Sequence, residues 1–146
     1  MSNTWVLVAN RSNARLFTSA GSRHSLTLVE DFFHDHGRHK EQDLNSDKAG
    51  RFNAGGGSRH GAGEAHSATE HEAENFAREL SHRLSEGRNA HEFARLVLVA
   101  EPKFLGVLKA ALDQQTAKLL TETLAKDFVH LPDTDIPALV LEHVRI

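Results

Sequence analysis

A stretch rich in glycine, histidine and arginine, residues 34–68, constrains the fold of this chain more than any other feature. Six of the ten glycines of the chain lie between Gly50 and Gly63 within it, and its only large apolar side chains are Leu44 and Phe52. Such a segment has too little apolar surface to offset the entropy of ordering it. A stretch of this length without regular structure is uncommon inside a domain and is usually functional or disordered. We therefore predict a long flexible loop over residues 34–68, within a folded body.

The residues before this stretch predict three short strands. Trp5–Ala9 is an apolar, β-branched run that ends at the turn signal Asn10–Asn13. Ala14–Ser19 and Ser25–Phe33 follow as two further strands, and Ala20–Ser22 forms the turn between them. Three strands joined by short turns form an antiparallel meander.

A helix is predicted directly after the stretch. Thr69 and Glu72 have the spacing of a capping box, which places the first turn of the helix at Thr69. Gly87 is a natural C-terminal stop. Apolar side chains recur at helical spacing between these two ends, at Ala73, Phe76, Ala77, Leu80 and Leu84.

The second half of the chain predicts two more strands, each with a helix after it. Leu96–Ala100 is a continuous apolar run, as expected for a central strand covered on both faces, and Pro102 begins a helix after it. Residues 113–118 predict a short helical turn. Residues 119–124 would also fit a longer helix, but a strand there completes a parallel pair. The last helix is predicted to begin at Pro132, with an apolar face formed by Ile136, Leu139, Val140 and His143.

These elements predict one α/β domain over residues 1–146. Its mixed five-stranded sheet combines the meander with two parallel strands, and helices flank it. The predicted core consists of Val6, Val8, Leu16, Leu26, Leu28, Phe76, Leu80, Leu96, Leu98, Leu105 and Leu108.

Composition narrows the classes of function. The chain has no cysteine, which excludes disulfides, thiolate metal sites and a cysteine nucleophile. Its net charge of −3 does not indicate nucleic-acid binding by the chain as a whole. No apolar run approaches the ~18 residues that span a bilayer, and the N-terminus does not resemble a secretory leader. We therefore expect a cytoplasmic protein that does not contact a membrane.

An ordered set of short motifs resembles a known family over nearly the whole chain. The set comprises Ala14–Phe17, Gly50–Phe52, Phe76–Ala77, Leu96–Pro102, Leu105–Gly106 and Lys126–Asp127. It resembles the bacterial proteins named as required for attachment to host cells. That family in turn is similar to the middle domain of archaeal and eukaryotic class-one peptide release factors and Pelota. The resemblance implies a ribonuclease H-like fold with a long loop.

The resemblance also identifies a candidate site at the tip of the loop. In release factors the loop carries a Gly-Gly-Gln tip that enters the ribosomal peptidyl transferase centre. Here Gly55 and Gly56 are present and Gly57 follows them, so the glutamine is absent. The resemblance therefore implies a contact surface, and peptidyl-tRNA hydrolysis is not expected.

The chemistry of the tip fits RNA. Residues 37–63 carry five Lys and Arg side chains, and no acid lies between Arg51 and Gly63. Glycines allow a close approach to phosphates, arginine contacts phosphate in a bidentate manner, and Phe52 can stack on a base. The alternative is a solvated loop without a function. The predicted RNA or ribosome contacts are Arg51, Phe52, Gly55, Gly56, Gly57, Ser58, Arg59 and His60.

Other chemistry is less well supported by the sequence. Imidazole ligands for zinc or nickel are available, but their spacing matches no defined site; they are His34, His36, His39, His60, His66 and His71. Asp31, Asp35 and Asp127 raise the question of a two-metal nuclease, but the first two strands carry no carboxylate. Ser58 lacks the second glycine of a nucleophile elbow. We therefore expect no metal, no cofactor and no catalytic residue.

Two hypotheses follow. The first is a non-catalytic accessory factor that binds the ribosome or structured RNA through the basic tip. The alternative is a protein-interaction module that is needed only indirectly for attachment. The identity of the partner and the oligomeric state are left open by the sequence.

Overall fold

A computed structural model describes residues 3–19, 25–34 and 57–145, and for residues 57–69 it describes the helical backbone alone. The turn predicted at Ala20–Ser22 lies outside the described residues, as does the part of the predicted loop between 35 and 56.

Five strands form one mixed sheet, in the order β3-β2-β1-β4-β5. The strands are β1 Thr4–Ala9, β2 Asn13–Ser19, β3 Thr27–Phe33, β4 Arg95–Ala100 and β5 Leu120–Ala125. The pairs β1–β2 and β2–β3 are antiparallel, and the pairs β1–β4 and β4–β5 are parallel. The predicted class, a meander with two added parallel strands and flanking helices, is confirmed. The third strand begins at Thr27 rather than at Ser25.

Helices cover both faces of this sheet. They are α1 Gly57–Asn89, α2 Pro102–Ala111, α3 Gln114–Ala117 and α4 Ile136–His143. Successive side chains of a strand point to opposite faces, so each central strand contributes to two cores. On one face Trp5, Leu7, Phe76, Leu80, Leu98 and Phe104 pack between the sheet, α1 and α2. On the other face Val6, Val8, Phe17, Val97, Val99, Ile136 and Val140 pack between the sheet and α4.

Eight of the eleven predicted core residues are buried, and Leu26, Leu28 and Leu105 are only partly buried. Leu28 belongs to the outer strand of the meander and Leu26 directly precedes it, and this strand has a sheet neighbour on one side among the described strands. Leu105 lies on the flank of α2, and it packs against the edge of the core.

The start of the first helix is the largest difference from the sequence prediction. The helix begins at Gly57, not at Thr69, so residues 57–68 are helical where a loop was predicted. Lengthening an existing helix adds one hydrogen bond per residue without a new nucleation step, and Ala62, Ala65 and Ala68 favour this. A Thr and a Glu three residues apart also lie one turn apart inside a helix, so the capping pattern did not identify its end.

The C-terminus of α1 also differs from the prediction, because Gly87 lies inside the helix. The chain leaves the helix in a Schellman motif: the amide N–H of Glu92 donates to the carbonyl of Gly87 at 2.8 Å, and that of His91 to the carbonyl of Arg88 at 3.0 Å. His91, with φ 59°, takes the left-handed position that closes the motif. Gly87 has another role, since a Cβ there would lie 2.5 Å from Cζ3 of Trp5.

The remaining elements follow the prediction with one correction. The short helix α3 and the strand β5 confirm the predicted helical turn and strand. The last helix begins at Ile136 and not at Pro132. Residues 132–135 form a turn, in which the amide of Asp135 donates to the carbonyl of Pro132 at 2.9 Å. His143, predicted on the apolar face of α4, is exposed.

Candidate functional site

Four of the five strands end at the same edge of the sheet. β1 runs parallel to β4, and β4 runs parallel to β5. β3 points the same way as β1, because both are antiparallel to β2. We call the edge where these four strands end the carboxyl edge, and the opposite edge the amino edge.

The glycine-rich stretch is attached to the body at the carboxyl edge. On one side it follows β3, through His34. On the other side it continues into α1, which runs antiparallel to β4: Gly87 lies against Trp5 at the amino edge, and Glu70 lies beside Arg11 at the carboxyl edge. Both described ends of the stretch therefore point away from the same edge.

The length of α1 carries its first turn well past the sheet. Thirty-three residues of helix measure about 50 Å, whereas strands of six or seven residues measure about 20–23 Å. Glu70, which lies beside Arg11 at the carboxyl edge, is about 20 Å along the axis from Gly57. The first turn of α1 thus lies beyond the carboxyl edge.

The structure places half of the predicted RNA-contact residues. Gly57, Ser58, Arg59 and His60 form the first turn of α1, so the loop conformation predicted for them is wrong and they are helical. This turn contains no acidic residue. The other four predicted contacts, Arg51, Phe52, Gly55 and Gly56, lie outside the described residues.

His34 has a structural environment that the sequence did not indicate. The residue is 4% exposed, its ring stacks on Phe76 with the centroids 5.2 Å apart, and its Nδ1 lies 3.9 Å from Oε1 of Glu79. Its amide donates to the carbonyl of Ser12 at 3.0 Å. His34 therefore fixes the point at which the chain leaves β3.

The carboxylates considered for a nuclease lie in separate pairs. Asp31 lies 3.6 Å from the Arg15 guanidinium, and Asp127 lies 3.7 Å from Nδ1 of His130. Asp35 lies outside the described residues. In the part of the chain whose side chains are described, no group of three or more His, Asp or Glu could hold a metal ion.

A crevice of about 290 Å³ opens at the carboxyl edge, between the ends of β1 and β4. Its charged lining comes from Arg11, Glu70, Glu74, Glu101 and Lys103, and its apolar lining from Ala73, Phe104 and Val107. A shallower groove of about 750 Å³ between α1 and α2 shares Glu74, Lys103 and Val107 with it.

Local turn chemistry positions two of these charges. Oδ1 of Asn10 accepts hydrogen bonds from the amides of Ser12 and Asn13, both at 2.9 Å, and this turn holds Arg11 at the end of β1. Glu101 ends β4 and caps α2, where its Oε1 accepts the amide of Phe104 at 2.7 Å. Pro102 supplies the first turn of α2.

The sequence analysis did not identify this crevice, because its residues come from three distant parts of the chain. The available signal was positional. Polar residues directly after two parallel central strands meet at the same edge of a sheet, which is where ligands bind in open α/β sheets.

Comparison with known proteins gives the family of the chain. None of the helices in the described parts of the chain has the length and apolar character needed to cross a membrane. No curated protein matches the sequence. Residues 5–140, from the first strand into the last helix, match the family described as "Protein required for attachment to host cells". The chain therefore belongs to this family of proteins required for attachment to host cells.

Proposed function

We propose that this protein is a non-catalytic accessory factor that binds the ribosome or another structured RNA through the basic tip, residues Arg51–His60. This is the role that the resemblance to release-factor middle domains implies. The observation that supports it best is the position of Gly57–His60 in the first turn of α1, about 20 Å along the helix axis from Glu70 at the carboxyl edge.

The chemistry of this turn suits phosphate. The amides at a helix N-terminus and the helix dipole favour anions, and the first turn of α1 contains no carboxylate that would repel them. Arg51 and Arg59 add two guanidinium groups, which bind phosphate in a bidentate manner. Phe52 adds a ring on which an unstacked base can pack.

The proposal covers binding and assigns no catalytic step to this protein. In the release factors that the chain resembles, a glutamine follows the glycine pair, and in this chain Gly57 follows Gly55 and Gly56. No other residue is assigned the role of that glutamine. The proposal also places the protein in the cytoplasm, which fractionation of the producing cell tests.

Co-sedimentation with ribosomes tests the proposal. At ~50 mM salt, where phosphate contacts are strongest, we expect the full-length protein in the ribosomal pellet. The Arg51→Ala/Arg59→Ala variant should bind more weakly and lower the slope of log affinity against log salt by about 2. Lys118→Ala/Lys126→Ala, which removes the same charge from an exposed surface beside β5, should change the total charge and leave that slope unchanged. Wild-type protein that stays in the supernatant at low salt would contradict the proposal.

A second candidate function, a protein-interaction module, is favoured by β3. This strand is an outer strand of the sheet, with a neighbour on one side among the described strands. Val29 and Phe33 on it are 43% and 51% exposed. Edge strands with exposed apolar side chains accept a strand from a partner. A photo-cross-linking amino acid at position 33 should capture one defined protein in the producing cell, whereas the same group at Thr121 on the opposite edge strand should not. Equal capture at both positions would contradict this alternative.

A further inference from the structure

The crevice at the carboxyl edge lies where the chain connections of the sheet diverge. From the end of β1 the chain turns to β2 on one side, and from the end of β4 it passes through α2 and α3 to β5 on the other side. Between two such adjacent parallel strands no connection covers the edge, which leaves a cleft at which open α/β sheets bind small ligands. The cleft here is the crevice bounded by Arg11 and Glu101.

The two cations that line this crevice are not paired with its carboxylates. Arg11 and Lys103 have no ion pair within 4.0 Å among the side chains that the structure describes, although three carboxylates line the same crevice. Elsewhere Arg15, Arg83 and Arg88 each lie within 4.0 Å of a carboxylate. A ligand of one charge would meet repulsion from half of the crevice, and a ligand that carries both charges would meet a partner for each.

The apolar lining favours an aliphatic group over a planar ring. Phe104 is 1% exposed and Ala73 is 6% exposed, so the aromatic face of Phe104 is not available for stacking. Val107 is half-buried and completes the apolar side. A volume of about 290 Å³ is at the lower end of the range of ligand pockets, which fits a molecule of the size of an amino acid.

We propose that this crevice binds a free α-amino acid with an aliphatic side chain. Its carboxylate contacts Arg11 and Lys103, its ammonium group contacts the carboxylates that include Glu74, and its side chain lies on Ala73 and Val107. Charge-assisted hydrogen bonds at both ends give the selectivity for a zwitterion. The site is built from residues of the folded body, so a test of it does not depend on whether the tip binds RNA.

Three ligands that differ by one charge at a time test this on the full-length protein. They are L-leucine, 4-methylpentanoate, which lacks the amine, and 3-methylbutylamine, which lacks the carboxylate. Ligand-observed NMR and calorimetry should show leucine binding at millimolar concentration or below, at least about tenfold more tightly than either analogue. The proposal is overturned if leucine does not bind, or if either analogue binds as tightly as leucine.

Two variants assign the contacts. Arg11→Ala should lower the affinity for leucine and leave the affinity for the amine unchanged. Glu74→Gln should lower the affinity for leucine and leave the affinity for 4-methylpentanoate unchanged. Lys118→Ala, a charge change outside the crevice, should preserve leucine binding. All of these positions are exposed, and thermal unfolding verifies that each variant is folded. Leucine affinity that is unchanged in both Arg11→Ala and Glu74→Gln would place the ligand elsewhere and overturn the proposal.

Discussion

The amino edge and the carboxyl edge of the sheet both carry basic and acidic side chains. At the amino edge these side chains form ion pairs, and at the carboxyl edge they line an open crevice. At the amino edge Trp5 stacks on Phe93 with the ring centroids 4.5 Å apart. The Arg83 guanidinium lies 5.1 Å from the centre of the Trp5 ring and forms ion pairs with Glu30 at 2.9 Å and Glu92 at 3.4 Å. Burial alone would lower the pKa of Arg83, but its contacts with Glu30 and then Glu92 outweigh burial and raise it.

At the carboxyl edge the corresponding groups are kept apart. Arg11 and Lys103 line an open crevice together with Glu101, and no ion pair joins either cation to a carboxylate among the described side chains. At the amino edge the charges are paired inside the chain, where they contribute to stability. At the carboxyl edge they line an open crevice, and these are the charges to which we assign ligand contacts.

Removing the ring at the centre of the amino edge should have the largest effect on stability. Trp5→Ala deletes a side chain that is 3% exposed together with its contacts to Phe93 and Arg83, and it should lower the free energy of unfolding by about 3–5 kcal/mol. Urea unfolding followed by circular dichroism measures this. A loss below about 1 kcal/mol would mean that the amino edge does not close the fold as described.

Two of the helical glycines, Gly87 in α1 and Gly106 in α2, provide a matched pair for the next effect. Gly87→Ala places a methyl group against the Trp5 ring and should lower the free energy of unfolding by about 1–3 kcal/mol. Gly106→Ala in α2 meets no atom within 4 Å and should raise it by about 0.5–1 kcal/mol. Equal effects of the two substitutions in urea unfolding would contradict the close approach of Trp5 and Gly87.

Acid should weaken the amino edge through Asp113, which caps α3. The Ser85 hydroxyl donates to Oδ2 of Asp113 and the Thr116 amide donates to Oδ1 at 2.7 Å. These hydrogen bonds, with Arg88 nearby, lower the pKa of Asp113 from 3.8 to about 2. A group with a lowered pKa contributes stability above its unfolded pKa and loses that contribution as the pH falls through the folded one.

Stability should therefore fall between about pH 4 and pH 2, and Asp113→Asn, which keeps a capping side chain, should reduce this fall. Because Asp113 is largely exposed, the effect should be the smallest of the stability losses at this edge. Thermal unfolding across this pH range measures it, with Asp133→Asn in an exposed turn as the control. The same acid dependence in the wild type and Asp113→Asn would exclude this role for Asp113.

The smallest effect should come from the carboxyl edge. Arg11→Ala/Lys103→Ala should change the free energy of unfolding by less than about 0.5 kcal/mol, because neither side chain forms an ion pair with another side chain that the structure describes. Urea unfolding of this variant beside Arg83→Ala compares the two edges directly. A loss larger than that of Arg83→Ala would show that the crevice charges are structural and would remove the distinction between the edges.

The strands of the fold could be predicted from the sequence because their signals are local. Trp5–Ala9 and Leu96–Ala100 are continuous apolar runs, and both form central strands buried on two faces. The predicted end of the first helix was wrong, because a rule about neighbouring residues does not include a contact with a side chain distant in sequence. Glycine is the residue type that commonly ends a helix, yet Gly87 lies inside α1. A glycine is needed there because the Trp5 ring occupies the space that a side chain would take.

The candidate sites could be predicted only in part. The basic tip is continuous in sequence, so it can be proposed from the sequence alone, but the sequence predicts a loop for Gly57–His60, which form the first turn of α1. The crevice combines Arg11, Glu74 and Glu101, which only the strand order and strand directions bring together. No periodicity or motif in the sequence encodes that proximity.

The helix α1 is packed on the sheet along one part of its length only, so a small tilt there would displace its far end by a larger distance. Its C-terminal half is packed along the sheet by Phe76, Leu80 and Leu84, and its first turn lies about 20 Å along the axis beyond Glu70 at the carboxyl edge. A tilt of about 5° in the packed part would displace that turn by about 2 Å, because displacement grows with the distance along the helix. A ligand in the crevice would lie beside the start of the packed part of α1, where Glu70 and Glu74 of this helix form one wall. A small change in packing at that wall would thus be amplified into a movement of Gly57–His60.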